Sequence, residues 1–351
     1  MHTTTTRKNP STTTLETNHP MPSVEKATIM QAVVQDSYGA PLDVLTLRDV
    51  ERPAIGPDDV LVSVRAAGVH IGDWLVGSGL PYIIRLGYGL RKPKTAIPGM
   101  EFAGVVEAVG DNVKMFRSGD AVFGWGTKAF AQYVSVSQDS LMRKPANISF
   151  QQAAVVPISG FTALQALRDS GRVKRGQKVL IIGASGGVGT YAVQIAKSYG
   201  AEVTGVCSTR NIDMVRALGA DRVVDYTKED ISDTGERYDV ILDTAGNRPI
   251  SQLRRLLTST GTLVIVGGTG GKWLMGFGRS IGAAFLSIFV SQSLRPFMSR
   301  TTGKDLAVLR ELLEAGTVIP VIDRAFSFAD TAEALEHVGQ RHTQGKTVIT
   351  V

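Results

Sequence analysis

From Gln31 onward the chain alternates short runs of apolar and polar residues. Six such runs, separated by turns rich in Gly, Pro and Asp, read AVVQDSYG, LTLRDVERP, DVLVSVRAAGV, FAGVVEAVG, DAVFGW and AFAQYVSVS. Period-two alternation between turn residues is typical of half-buried β-strands. We therefore predict a small β-barrel or sandwich over residues 31–140.

Beyond residue 176 the pattern changes to buried strands followed by helices. QKVLIIG is one continuous apolar run, as expected of a strand that is buried on both faces. The next segment, GGVGTYAVQIAKSYG, places Val188, Ala192, Ile195 and Ala196 at helical spacing. Such pairs alternate as far as GTLVIVGG, the last strand that the pattern predicts, and indicate a parallel sheet with right-handed crossovers. The later segments KDLAVLRELLEAG, RAFSFADTAEALEHVG and KTVITV are expected to return to the first unit.

Composition narrows the class of protein and its surroundings. A length of 351 residues predicts two domains, and 43% hydrophobic residues suffice for their cores. The net charge of +6 is dispersed without a Lys/Arg run, so we expect no nucleic-acid partner. The single cysteine, Cys207, excludes a disulfide framework and a four-cysteine zinc site, and it favours a reducing, cytoplasmic setting.

Two further stretches bear on location. Ser280–Leu294 is uncharged and apolar but shorter than the roughly 20 residues of a spanning helix, so we expect no stable membrane insertion. Residues 1–29 are rich in Thr, Ser, Pro and Asn, and we interpret them as a disordered tail. A mitochondrial presequence is the weaker alternative, because Arg7 and Lys8 do not belong to an amphipathic, Arg-rich helix.

The segment VLIIGASGGVGTYAVQIAK carries the strongest chemical signal. Gly186 and Gly189 follow Ala184 at the spacing of a phosphate-binding turn, and Gly183 directly precedes it. Glycines between a buried strand and a helix let backbone N–H groups approach a pyrophosphate, and the helix N-terminus adds positive partial charge. A purely structural turn is the alternative, but the strand–turn–helix context favours a dinucleotide site.

The end of the next strand bears on which dinucleotide is bound. An NAD site needs an acid about 20 residues after the glycine turn, whereas this chain has Cys207, Ser208, Thr209 and Arg210. A hydroxyl and a guanidinium suit a 2′-phosphate, because charge-assisted bonds to phosphate favour Arg. We therefore predict NADPH as the cofactor; the alternative is a helix-capping Ser208 and a solvated Arg210.

These segments resemble the medium-chain dehydrogenase/reductase superfamily, and more narrowly its zinc-free quinone oxidoreductase branch. The resemblance covers Gln31–Val351 in order and rests on PGMEFAGVVEAVG, VPISGFTALQAL, the glycine-turn segment, ALGADRVVDY and GKTVITV. It implies an α/β Rossmann domain, a doubly wound parallel sheet, beside a GroES-like β-barrel catalytic domain, with the active site in the cleft. It also implies a homodimer. The expected domains are a tail at 1–29, a catalytic domain at 30–155, a Rossmann domain at 156–298 and a returning segment at 299–351.

The resemblance also assigns the cofactor-binding residues one at a time. Gly183, Ser185, Gly186, Gly187, Val188 and Gly189 match the pyrophosphate loop. Arg210 matches a basic 2′-phosphate ligand, with Ser208 beside it and Tyr226 covering the phosphate. The residues that match those around the nicotinamide are Thr162, Thr244, Ala245, Gly246, Val266, Gly267 and Gly268. Lys346 matches a recurring lysine near the cleft, with a solvated strand-end lysine as the alternative.

The same comparison predicts that no metal is bound. Zinc alcohol dehydrogenases of the superfamily place ligands where this chain has His70, Met100 and Pro157, and only His70 is a suitable zinc ligand. The zinc-free branch often has Asn-Pro-x-Asp where this chain has His70-Ile71-Gly72-Asp73, and its usual tyrosine is displaced to Tyr82. We take His70, Asp73 and Tyr82 as the catalytic candidates. His70 is either a proton donor near neutral pH or a turn histidine bonded to backbone.

An apolar insert follows the last predicted strand of the sheet. Six of its side chains are candidates to roof a cleft for a bulky or lipophilic acceptor: Trp273, Leu274, Met275, Phe277, Phe285 and Phe289. A subunit interface, ordinary core and peripheral membrane contact are the alternatives.

Three functional hypotheses follow. Without a metal, alcohol oxidation lacks the usual stabilisation of the alkoxide, whereas charge from hydride addition to a conjugated acceptor spreads onto an enolate or quinol oxygen. The first hypothesis is therefore NADPH-dependent reduction of a small quinone or α,β-unsaturated carbonyl. The alternatives are an alcohol dehydrogenase of the same superfamily and a catalytically weak NADPH-binding scaffold or sensor.

Overall fold

The computed structural model describes residues 1–5, 28–268, 277–287 and 289–351. Within them the strands are β1 (Ile29–Gln35), β2 (Leu45–Glu51), β3 (Asp59–Val69), β4 (Glu101–Val109), β5 (Ala121–Trp125), β6 (Tyr133–Ser137), β7 (Leu141–Arg143), β8 (Lys178–Ile182), β9 (Glu202–Cys207), β10 (Arg222–Asp225), β11 (Tyr238–Asp243), β12 (Leu257–Ile265), β13 (Ser293–Pro296), β14 (Ile322–Ser327) and β15 (Lys346–Thr350). The α-helices are α1 (Pro41–Val44), α2 (Ile71–Ser78), α3 (Arg85–Tyr88), α4 (Phe150–Ala154), α5 (Pro157–Gln165), α6 (Gly189–Ser198), α7 (Ile212–Ala217), α8 (Ile250–Leu256), α9 (Phe277–Leu286), α10 (Gly303–Glu314) and α11 (Thr331–Gly339). Single 3-10 turns occur at Tyr82–Ile84, Gln138–Ser140, Thr209–Asn211, Ile231–Thr234 and Phe328–Asp330, and a π-helical turn at Ala166–Gly171 continues α5.

A six-stranded parallel sheet forms the second half of the molecule, in the order β10-β9-β8-β11-β12-β13. Side chains of β8 alternate between its two faces: Val179 and Ile181 join one buried cluster, whereas Leu180 and Ile182 join another. Helices cover both faces, so the four residues of β8 that follow Lys178 are all apolar and buried. This is why the sequence shows a continuous run there rather than an alternation.

The expectation that β12 is the last strand of this sheet is wrong. The apolar insert contributes β13, which pairs in parallel with β12 through Val264 and Arg295. The strand has only four residues, one of them Pro296, and no alternating pattern. β13 is a strand because it pairs with the edge strand β12, and its own sequence pattern does not predict such pairing.

The β-rich half of the molecule is built mainly from antiparallel strands, although β14 and β15 pair in parallel. Its main sheet runs β14-β15-β3-β4-β5-β7, with β6 also paired to β3, and β1 and β2 form a separate two-stranded sheet. The C-terminal strand β15 lies between β14 and β3, pairing Val348 with Gly68. The closing segment therefore joins the sheet of the first unit, and an α/β parallel sheet beside a β-rich unit is the fold class that the sequence predicts.

Local boundaries differ from the sequence pattern in three places. Helix α2 follows β3 directly, although the pattern gives no helix there. The predicted strand AFAQYVSVS is confined to Tyr133–Ser137, because Ala129 and Phe130 instead donate backbone hydrogen bonds to Gly99 and Pro98. Helix α8 ends at Leu256, where β12 begins. Of the helices that the structure describes, none has the length and apolarity to cross a membrane.

Candidate dinucleotide and acceptor site

The glycine turn connects β8 to α6 at the carboxyl edge of the parallel sheet. Gly183 has a φ of 83°, and the N–H groups of Gly183 and Ala184 donate to the carbonyl of Val206 on β9. The N–H of Gly186 then donates to Gly183 (3.0 Å), which tightens the turn before the helix starts. The Ser185 hydroxyl accepts from Asn211, so the side chain of the turn is tied to the next strand–helix connection.

Three of the four glycines of the turn, Gly183, Gly186 and Gly189, serve different purposes. A Cβ at Gly189 would lie 2.1 Å from the Gly183 carbonyl, and one at Gly183 would lie 2.5 Å from the Thr244 hydroxyl. These two positions are closed by the protein itself. At Gly186 a Cβ would meet only the Gly183 carbonyl, at 3.4 Å, and would otherwise point into open space. The open backbone at Gly186 therefore fits the approach of a pyrophosphate to the N-terminus of α6.

The connection after β9 holds the residues assigned to the 2′-phosphate. Ser208 is partly buried and accepts a long hydrogen bond from Asn211 (3.3 Å), whereas Arg210 and Tyr226 are exposed. The Arg210 guanidinium donates to the carbonyl of His342, and the Tyr226 N–H donates to Cys207. The structure thus brings all three residues to the end of β9, with Arg210 directed toward the C-terminal segment.

Sequence reasoning missed an acid beside this connection. Asp225, at the end of β10, pairs with Cys207 across the sheet and is buried. Hydrogen bonds from the hydroxyl of Thr209 and from Thr227 lower the pKa of Asp225 to about 2, so the group is a carboxylate at neutral pH. Both of its oxygens accept these bonds, so the carboxylate orders the loop around Thr209.

The two loops assigned to the nicotinamide are held together by one residue. Asp243 is fully buried at the end of β11; its Oδ1 accepts from the N–H of Gly246, and its carbonyl accepts from Val266 and Gly267 (3.0 Å each). Arg279 on α9 donates to the other carboxylate oxygen. Asp243 and Arg279 were not singled out from the sequence, because their partners lie on separate segments.

The remaining nicotinamide candidates are positioned by their own local bonds. Thr162, on α5, donates to the Ile158 carbonyl and lies 3.2 Å from the Ser299 hydroxyl. Thr244 donates to the Ile182 carbonyl at the end of β8. Ala245 stands between the bonded Thr244 and Gly246 and is partly buried. Gly268 accepts from Arg341 (3.2 Å), a basic residue that sequence reasoning also missed.

Lys346 is buried, which excludes the alternative of a solvated strand-end lysine. It is 2% exposed, and its Nζ lies 2.8 Å from Oε1 of Glu101, which is fully buried on β4. The second oxygen of Glu101 accepts from the N–H of Ile158 at the start of α5. A Cβ at Gly187 would lie 3.1 Å from the Lys346 Cδ. The ion pair therefore joins β4, α5, β15 and the glycine turn, which no spacing in the sequence indicates.

His70 and Asp73 form a reciprocal cap at the start of α2. The His70 Nδ1 accepts from the N–H of Gly72 (2.7 Å), and the His70 N–H donates to Asp73 (3.0 Å). The structure therefore favours the second alternative for His70, the turn histidine bonded to backbone. Because Nδ1 is an acceptor, the proton of the neutral ring is on Nε2. Among the described residues Nε2 is buried without a hydrogen bond, and it lies 3.8 Å from Oδ2 of Asp73.

Burial gives the two capping side chains unusual acidities. Desolvation, with the nearby charge of Lys346, lowers the pKa of His70 to about 3, so the ring is neutral at pH 7. Desolvation raises the pKa of Asp73 to about 7, and the charge of Glu101 adds to the rise. Of these two groups, the carboxyl of Asp73 is the one that gains or loses a proton near neutrality, while His70 presents a neutral N–H donor.

Tyr82 lies outside this buried cluster. It begins the 3-10 turn after α2, is 37% exposed, and its ring faces the Arg85 guanidinium 4.8 Å from the ring centroid. At the positions of the zinc ligands, His70 caps a helix and Pro157 begins another. The part of the chain that the structure describes contains no group of three His, Cys, Asp or Glu side chains able to hold a metal ion.

The apolar insert is described only in part. Trp273, Leu274 and Met275 lie outside the described residues. Phe277 begins α9, and Phe285 and Phe289 are 65% and 80% exposed. The exposure of the last two leaves their role as a roof over the cleft a prediction.

Comparison with known proteins identifies the family. The alcohol dehydrogenase GroES-like domain matches residues 56–146, and a zinc-binding dehydrogenase domain matches residues 218–349. The mitochondrial NAD(P)H oxidoreductase RTN4IP1 of Mus musculus is 31% identical, over 93% of this chain and 90% of its own length. The chloroplastic NADPH-dependent alkenal/one oxidoreductase of Arabidopsis thaliana is 33% identical, over 91% of this chain and 79% of its own.

A solved structure extends the likeness to the whole fold. The quinone oxidoreductase from Coxiella burnetii superposes with a TM-score of 0.79 at 30% identity, covering 92% of this chain and 99% of that chain. The chain therefore belongs to the medium-chain dehydrogenase/reductase superfamily. The family and the fold class predicted from the sequence are confirmed.

Proposed function

We propose that this protein is an NADPH-dependent oxidoreductase that reduces a quinone or an α,β-unsaturated carbonyl without a metal ion. The observation that carries the proposal is the turn at His70–Asp73. There a buried, neutral His70 has an Nε2–H without a hydrogen bond, at a position that binds zinc in related alcohol dehydrogenases. The named activities of the relatives from Coxiella burnetii and Arabidopsis thaliana support the acceptor class.

The glycine turn and the loops at the carboxyl edge of the parallel sheet, which together we call the candidate cofactor groove, would bind different parts of the cofactor. The open backbone at Gly186 and the N-terminus of α6 would hold the pyrophosphate, and the loops joined by Asp243 would hold the nicotinamide. Arg210 supports the choice of NADPH over NADH. Although Asp225 lies close by, its oxygens are engaged by Thr209 and Thr227.

A bound NADPH would supply the hydride. The residues of the chain would stabilise the negative charge that develops on the acceptor oxygen. The His70 Nε2–H would donate a hydrogen bond to that oxygen, as neutral histidines do where an oxyanion forms in a buried site. The raised pKa of Asp73 keeps its carboxyl protonated up to about pH 7, so Asp73 would hold a proton next to His70. Tyr82, on the exposed 3-10 turn after α2, would contact the acceptor from the solvent side.

The direct test is NADPH oxidation by the purified protein with a panel of quinones, enals, enones and simple ketones, together with metal analysis of the same preparation. We expect turnover with a conjugated acceptor, no stoichiometric zinc, and activity that survives a chelator. One zinc per chain, with activity lost on its removal, contradicts the metal-free mechanism. Tight NADPH binding without turnover across the panel favours the scaffold or sensor instead.

The cofactor choice is tested separately. A charge-assisted hydrogen bond contributes about 1.5–3 kcal/mol, so Arg210→Ala should weaken NADPH roughly ten- to a hundredfold and leave NADH almost unchanged. Ser208→Asp adds a carboxylate that repels the phosphate and holds a free ribose 2′-OH, so it should favour NADH further. Dissociation constants for both cofactors are the measurement. Equal weakening of both by Arg210→Ala contradicts the assignment.

Two further proposals concern the protein's surroundings. The cytoplasmic location predicted from the single cysteine stays a proposal, because the relatives in mouse and Arabidopsis thaliana are named mitochondrial and chloroplastic. The homodimer rests on resemblance and is measured directly by sedimentation.

A further inference from the structure

The loop between α2 and β4 projects large apolar side chains into solvent. The side chains of Leu86 and Leu90 are 71% and 69% exposed, so most of their apolar surface is in contact with water. Three neighbours on the same loop are exposed as well: Tyr82, Ile83 and Tyr88. We refer to Tyr82–Lys94 as the 82–94 loop. A cluster of this kind on one short segment marks an interaction surface.

Backbone hydrogen bonds hold this loop in a fixed shape. The N–H of Gly89 donates to Arg85 (2.9 Å), and the N–H of Lys94 donates to Tyr88 (2.7 Å). Gly89 has a φ of 122°, and a Cβ there would lie 2.1 Å from the Lys92 carbonyl. The turn is thus closed tightly at its base, so the apolar side chains are presented outward rather than folded back.

The charge of the loop is of one sign. From Trp74 to Met100 the chain contains no Asp or Glu. Arg91, Lys92 and Lys94 are exposed, and the ion pairs found among the described residues involve none of them. Positive side chains therefore flank an apolar tip.

We propose that the 82–94 loop docks the protein on an anionic lipid surface. Exposed Leu, Ile and Tyr side chains enter the boundary between headgroups and acyl chains, while Lys and Arg remain beside the anionic headgroups. A nucleic acid would match the charge but would leave Leu86 and Leu90 without a use. The loop follows α2, which is about 12 Å long and is capped at its start by His70, so docking brings the candidate acceptor site around His70 near the lipid surface. The docking does not depend on the proposed acceptor chemistry.

The first test measures binding to vesicles. Wild-type protein should co-sediment with phosphatidylglycerol-containing vesicles, bind pure phosphatidylcholine vesicles much more weakly, and be released by high salt. Each basic side chain near an anionic surface contributes roughly fivefold to partitioning, so the triple variant Arg91→Gln/Lys92→Gln/Lys94→Gln should bind roughly a hundredfold more weakly. The double variant Leu86→Ser/Leu90→Ser should also lose binding, because it removes the apolar anchors.

A matched control separates the loop from the overall charge. Lys174, Arg255 and Lys304 are exposed and lie on the parallel-sheet half of the chain or on α10, so neutralising them with Gln removes the same net charge elsewhere. The control triple should bind vesicles like wild type. Equal loss in both triples, equal binding to neutral and anionic vesicles, or no vesicle binding by wild type would each overturn the proposal. Loss of self-association in the leucine variant, without vesicle binding by wild type, would instead assign the surface to a second copy of the chain.

Oxidoreductase turnover is measured in parallel with a water-soluble acceptor. The loop variants should retain it, because none of the substituted residues contacts the candidate cofactor groove. If turnover is absent in wild type while loop-dependent vesicle binding is present, the proposed acceptor chemistry fails and the docking stands.

Discussion

The buried cap of α2 makes a sharp prediction about stability and pH. The pKa of His70 is lowered from 6.5 to about 3, whereas that of Asp73 is raised from 3.8 to about 7. Between about pH 4.5 and pH 6.5 the unfolded chain binds a proton at His70 that the folded chain does not, so this group makes stability rise with pH. Asp73 keeps a proton in the folded chain that the unfolded chain releases, so it makes stability fall. The two contributions oppose each other and nearly cancel in the wild type.

Single substitutions should expose each contribution. From the two shifts, each group changes the free energy of unfolding by about 2 kcal/mol over this pH interval. Asp73→Asn keeps a side-chain oxygen for the His70 N–H but removes the titration, so stability should rise by about 2 kcal/mol relative to wild type as the pH goes from about 4.5 to 6.5. His70→Gln should show a fall of similar size. Any constant effect of the substitution on the cap does not alter these slopes.

Urea denaturation at several pH values measures the slopes. Trp74 and Trp125 both lie in the β-rich half of the molecule, so their fluorescence reports on the unit that contains the cap. The double variant should restore the flat profile. If both single variants shift the slope in the same direction, or if neither differs from wild type, the cap does not hold a neutral histidine beside a protonated carboxyl.

Two further predictions concern ion pairs around the groove. Arg279→Ala leaves the buried Asp243 with fewer partners and loosens the two loops assigned to the nicotinamide, so the KM for NADPH should rise about tenfold. Arg279→Lys should recover most of this loss. Arg248→Ala removes an ion pair to Asp230 between two connecting segments of the same half and should not raise the KM. Lys346→Met leaves Glu101 buried without its cation and should lower the free energy of unfolding by about 3–5 kcal/mol. Adding Glu101→Gln should restore much of this loss. A destabilisation below about 1 kcal/mol in the single variant contradicts the buried ion pair.

The fold was predictable where local pattern and packing coincide. β8 reads as a continuous apolar run because both of its faces are covered. β3 alternates between buried and less buried positions only from Val62 to Ala66, where Ser63 and Arg65 are the less buried residues. β13 was not predictable, because four residues at a sheet edge are defined by their partner strand rather than by their own sequence. α2 was not predictable either, since its cap is formed by His70, which is not among the residues that usually signal a helix start.

The candidate site shows the same division. The glycine turn was found because its function requires a fixed spacing within one short segment. Asp243 and Glu101 were missed because each is defined by contacts to distant segments: Asp243 meets Arg279 and Gly267, and Glu101 meets Lys346. Sequence spacing carries no information about such pairs.

The C-terminal segment Arg341–Lys346 illustrates how far these distant contacts organise the groove. Arg341 donates to Gly268 in a nicotinamide loop, and the carbonyl of its neighbour accepts from Arg210 after β9. Gly345 donates to Ser185 in the glycine turn, and Lys346 pairs with Glu101 beneath it. Four of these six residues therefore contact parts of the proposed dinucleotide site where the chain enters β15. A segment so placed fixes the glycine turn and its neighbouring loops relative to the candidate catalytic residue His70, because its strand pairs with β3, whose end leads directly into His70.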